Sequence, residues 1–189
     1  MRRSRGRCRR LPTSTADLWE TIESEAGQES PLWRDALRVE GEHEPVFSPL
    51  GEERHALGLE TIYEGYLVHY GRPRLFEPAD EDTALLLGDY LYAHGLVRIA
   101  EVGSVEAVAD LAELISLCAQ LRADSAPGDG VAWAASAALL GTGELDGARA
   151  ALRDEGDAAP LTGLAESHTD RTALEHALAA HARRLRQPC

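Results

Sequence analysis

The stretch Ala56–Ala100 constrains the fold more than any other part of the chain. Gly58 and Gly65 stand seven residues apart in one apolar run, and Gly88 and Gly95 repeat the device in a second. Glycine costs up to about 1 kcal/mol in a helix interior. A pair in register on each of two helices therefore predicts that the helices press together along those faces. The first helix is expected over about Glu52–Tyr70 and the second over about Ala79–Val102, joined by Gly71-Arg72-Pro73-Arg74-Leu75-Phe76-Glu77-Pro78. The second opens after Pro78 with Asp80, Glu81 and Asp82, which suits the positive end of a helix dipole. It is then apolar almost all round from Ala84 to Leu87, as a helix at the centre of a bundle would be.

Helical spacing recurs along the rest of the chain. One helix is expected over Ala16–Ala26, stopped by Gly27, with Leu18, Trp19, Ile22 and Ala26 on one face. Another runs from Ser30-Pro31 to about Glu40, followed by a loop over Glu40–Gly51. Trp19 and Trp33 read as core anchors. After Gly103, helices are expected over Val105–Ala123, Val131–Leu140, Leu145–Arg153 and Asp170–Leu185, with a Gly/Asp/Pro loop reaching Pro160. Apolar residues make up 44% of the chain, Ala and Leu dominate, and no β-branched alternation appears. The fold class is therefore all-α: a single-domain helical bundle over residues 14–187, preceded by a disordered basic tail over residues 1–13.

Charge narrows the partners. The net charge is −13, all nineteen Lys/Arg positions are Arg, and six of these fall within the first ten residues. Without those six the chain carries roughly −19, a body that repels nucleic acid and anionic membranes. Cys8, Cys118 and Cys189 have no paired spacing, so neither a disulfide frame nor a zinc site is expected, and a reducing cytoplasm is the natural location. No run approaches the roughly 18 apolar residues of a membrane span.

Several residues are candidates for chemistry. Glu60 and Glu64 share a helical face, with Glu53 further back; they either hold a divalent cation or, the plainer expectation, form a solvated face. Glu40 with His43 and Glu52 with His55 have a di-iron spacing, but Gly41 and Pro45 make the first a poor helix segment. Arg72 and Arg74 either offer guanidinium forks to an anion or pair with Glu77, Asp80, Glu81 or Asp82. Asp89, on one face with Asp82, needs a partner if buried. His176 and His181 read as surface or half-buried residues.

Leu67-Val68-His69, Gly71-Arg72-Pro73, Leu87-Gly88-Asp89-Tyr90-Leu91 and Cys118-Ala119-Gln120 occur in the order and rough spacing of the trans-polyprenyl diphosphate synthases. The chain resembles that family over about Ala56–Leu140, and the resemblance implies an isoprenoid-synthase-like but truncated bundle. A rebuilt site would draw its ligand-binding candidates from Arg72, Arg74, Asp89, Glu60, Glu64 and Gln120. The departures are chemical. Tyr70 stands where the first metal-binding aspartate falls, and the aspartate-rich segments are missing. His69 and Tyr70 replace the paired arginines, and no lysine exists to bind diphosphate. Without carboxylates to hold magnesium, diphosphate ionisation lacks its electrophile.

Three readings stay open. In the first, the protein is non-catalytic, needs no cofactor and partners a catalytic prenyl synthase subunit or a second copy of itself. In the second, a rebuilt site binds a prenyl diphosphate with magnesium. In the third, the chain is a structural helical interaction module, with Trp19, Trp33 and Tyr90 buried and no open cavity.

Overall fold

The computed structural model describes residues 15–185, so the basic tail expected over residues 1–13 lies outside the described residues. Helix α1 spans Thr15–Glu29 and α2 spans Pro31–Asp35. Then follow α3 (Ala56–Tyr70), α4 (Glu81–Val102), α5 (Val105–Ala123), α6 (Asp129–Ala138), α7 (Asp146–Ala150), α8 (Ala159–His168) and α9 (Arg171–Arg184). Among the described residues no strand forms beyond two isolated bridges, and the helices make an all-α, single-domain bundle.

The paired glycines do what their register predicts. An ideal Cβ on Gly58 would lie 3.1 Å from the Gly95 carbonyl oxygen, and one on Gly65 would lie 2.9 Å from that of Gly88. α3 and α4 thus touch backbone to backbone, a contact that a methyl group would prise open. Caps delimit the long helices. The Asp80 side chain accepts from the Thr83 N–H at 2.7 Å to open α4, and Ser104 accepts from the Ala107 N–H at 3.2 Å to open α5.

Three expectations on element boundaries change. α1 runs through Gly27 to Glu29, and Arg34 Nη2 donates to the Gly27 carbonyl. α2 ends at Asp35 instead of Glu40 because the chain beyond it pairs with the 71–78 loop. The Arg38 N–H donates to the Leu75 carbonyl at 2.9 Å, Glu42 to Arg74 at 3.0 Å, and the Glu77 N–H to Ala36 at 2.7 Å. α8 (Ala159–His168) takes in Ala159 and Pro160 from the end of the expected loop and continues through residues to which the sequence assigned no element; Leu161 and Ala165 are its buried contacts.

Among the described residues the core has two clusters. One, around Trp19, Ile22, Trp33, Phe76, Leu87 and Leu91, joins α1 and α2 to α3 and α4. The larger, around Phe47, Tyr63, Tyr66, Leu114 and Trp133, joins α3 to α5, α6, α8 and α9. Trp19 and Trp33 are buried anchors, while Tyr90 is half-buried and packs against Trp33. Cys118 is a free, fully buried thiol whose pKa burial raises.

Candidate functional site

Glu60, Glu64 and Arg74 come together, but in the interior. α3 turns both glutamates toward the 71–78 loop, and the loop inserts Arg74 between them; all three side chains are 0% exposed. Arg74 Nη1 donates to Glu60 Oε2 at 2.5 Å and Nε donates to Glu64 Oε2 at 2.9 Å. The same guanidinium reaches the carbonyls of Glu44 at 3.0 Å and Glu60 at 3.1 Å. The remaining carboxylate oxygens face backbone donors. Glu60 Oε1 accepts from Val46 and Ser48 at 3.0 Å each, and Glu64 Oε1 accepts from Arg74 and Leu75 at 2.7 Å each. Two carboxylates and one guanidinium leave a formal surplus of one negative charge, which the four N–H dipoles offset.

The guanidinium carbon lies 4.7 Å from the Trp19 ring centroid and 5.1 Å from that of Tyr63. Burial alone would favour the neutral arginine, but the two glutamates reverse this and raise its pKa above the usual value. The solvated glutamate face and the Arg74 anion fork are therefore both corrected. Every group is already held by another, and Glu53 stands apart, exposed, in the turn Glu53–His55 before α3. Among the described residues no group of three or more His, Cys, Asp or Glu is placed to hold a metal ion.

Arg72 takes a different course. It is exposed, and its Nη2 donates to the Arg183 carbonyl at 2.8 Å. It lines an open groove of about 650 Å3 between residues 38–42, the 71–78 loop and the start of α4. Val68, Phe76, Ala84 and Leu85 supply apolar wall, Arg38, Arg72 and His69 supply cationic or polar groups, and Glu42, Glu77, Asp80 and Glu81 supply carboxylates. Asp89 is exposed, its Oδ1 3.3 Å from His69 Nε2. Burial lowers the His69 pKa more than Asp89 raises it. Gln120 is exposed on α5. The third reading, with no open cavity, meets this groove and the half-buried Tyr90 as exceptions.

A second buried polar group escaped sequence reasoning. Asp129, read only as part of a Pro-Gly-Asp-Gly turn, opens α6 inside the core. Tyr66 and Arg122 both donate to its Oδ2, and Arg122 Nε also reaches the Tyr66 hydroxyl at 2.8 Å. His181, read as a surface or half-buried residue, is fully buried, with Nε2 3.4 Å from Asp129 Oδ2 and Nδ1 3.0 Å from the Tyr63 hydroxyl. Burial works to raise the Asp129 pKa, yet hydrogen bonding and charge from His181, with Tyr66 and Arg122, hold the carboxyl well below its ordinary range. A turn aspartate carries no sequence signal for this; only the fold brings α3, α5, α6 and α9 to it. His55 is buried too, and neither ring nitrogen has a hydrogen-bond partner among the described residues.

Comparison of the chain with protein-family models, curated proteins and solved structures finds no match.

Proposed function

We infer that this protein is a non-catalytic, cytoplasmic helical subunit, resembling the polyprenyl diphosphate synthases, that acts by associating with a catalytic chain in isoprenoid chain synthesis. The observation that carries the reading is the Arg74–Glu60–Glu64 lock. Glu60, Glu64 and Arg74, three of the ligand-binding candidates, satisfy one another at zero exposure, while the glycine faces bring α3 and α4 into contact beside them. Co-expression with a complete prenyl synthase tests it: the expected outcome is co-purification with a change in product chain length or yield, and no association overturns it. The groove at Arg72, Arg38 and His69 favours a second reading, a rebuilt site for a prenyl diphosphate. That reading expects a magnesium-dependent thermal shift with the diphosphate, lost in Arg72→Ala.

A further inference from the structure

The outer side of α4 carries Leu86, Ala93, Val97 and Ala100, all exposed, although the helix is otherwise a core element. Leu86 and Val97 are 56% and 54% exposed. Positions 86, 93 and 100 fall close to one line and 97 lies a turn beyond 93, so the stripe spans about 21 Å at 1.5 Å per residue, with exposed Asp89 and half-buried Tyr90 in the turn between Leu86 and Ala93. The exposed formal charges that α4 itself carries have one sign, although Arg38 and Arg72 line the groove at its start. Glu81, Asp82, Asp89 and Glu101 are exposed on this helix, whereas its only arginine, Arg98, is buried against Glu25 and Thr61. His94 is half-buried on Glu25.

The structure assigns this face to an amphipathic helix of another protein, one with an aliphatic seam and an arginine- or lysine-rich flank. An apolar stripe in helical register is what a partner helix covers with residues at three- and four-residue spacing. The carboxylates select a basic flank and oppose other signs. A second copy of this chain would set Asp82, Asp89 and Glu101 against like charges. The chain's own Arg-rich start has the charge but not the seam, for Leu11 is its only large aliphatic residue. The assignment rests on the partner-subunit reading and adds the place and chemistry of the contact.

The probe is a synthetic helical peptide with leucine at the seam and arginine at the flanks, titrated against the full chain by fluorescence anisotropy, beside a peptide with glutamate flanks. The arginine peptide should bind saturably and weaken steeply with salt. The paired variant Leu86→Ser, Val97→Ser should raise its Kd at least tenfold, and Asp82→Asn with Glu101→Gln should reduce the salt dependence. Both pairs alter exposed side chains, and an unchanged melting curve checks their fold. Equal binding of both peptides, or of the arginine peptide to the serine variant, overturns the assignment. So does self-association in sedimentation that the serine variant abolishes, which would make the occupant a second copy. Co-purification with a prenyl synthase that survives the serine variant overturns this face and leaves the partner reading standing. Binding of the arginine peptide without any synthase association supports the face and overturns that reading.

Discussion

The α3–α4 hairpin and the α6–α9 half bury polar groups and contain glycines in similar measure, yet each uses them differently. In the hairpin, Gly58, Gly65, Gly88 and Gly95 sit where a methyl group would meet backbone or a ring, and the Arg74 lock is closed to solvent. In the other half, Gly143, Gly147, Gly156 and Gly163 have open space beside them. The Asp129 group there keeps a partly exposed edge, with Arg122 at 21% and Asp129 at 12%. Residue type alone does not say which glycines are structural: Gly143 and Gly156 have open space but hold positive φ, whereas Gly147 and Gly163 have neither a close neighbour nor a positive φ.

The sharpest way to break the comparison is Arg74→Met. It leaves two buried carboxylates without their cation and should cost about 3–5 kcal/mol in denaturant unfolding. Adding Glu60→Gln and Glu64→Gln to it should recover part of that loss. Gly95→Ala comes next. A Cβ there would lie 2.4 Å from Ile62 Cγ1 and 3.0 Å from the Gly58 carbonyl oxygen, so the overpacking should cost about 1–3 kcal/mol despite alanine's better helix propensity. Asp129→Asn in the other half should cost about 1–2 kcal/mol, because Tyr66 and Arg122 keep an acceptor while the charge is lost.

Acid should separate the two regions further. Burial, reinforced by Arg54, lowers the His55 pKa against a weaker pull from Glu52, and burial lowers that of His69. The unfolded chain therefore binds more protons than the native one once pH falls through the ordinary histidine value of about 6.5, and stability declines from there downward. His55→Leu should flatten that limb in pH-dependent melts. The lowered Asp129 pKa acts in the opposite range: its stabilisation is full above the ordinary aspartate value of about 3.9 and fades only below it, and Asp129→Asn should remove that lower limb. The smallest effect is a gain. Gly163→Ala, mid-helix in α8 with open space at its Cβ position, should stabilise by about 0.5–1 kcal/mol.

Much of the fold was legible because it rests on periodicity. The glycine register announced the α3–α4 contact, and Pro78 with its acidic followers marked the start of α4 to within a few residues. The boundary of α2 was not legible, because residues 36–42 satisfy their backbone groups on a loop some 35 residues away. Glu60 and Glu64 illustrate the same limit for the site. Their four-residue spacing says that they share a face but not which way the face points; the loop that returns Arg74 decides it. His181 and Asp129 are further from reach, since their partners come from helices scattered over the whole chain.

The 71–78 loop has a consequence in time as well as in space. Residues 36–42 pair along it, and at its start the Arg72 N–H donates to the Arg184 carbonyl at 2.7 Å. Its early neighbours leave the ribosome before it does, so the α3–α4 hairpin can assemble with α1 and α2 while synthesis continues. The last neighbour, like His181 beneath it, arrives only with α9. A nascent chain stalled before α9 would therefore hold a finished Arg74 lock beside an unfinished Asp129 site, and the final helix commits the two halves to one structure.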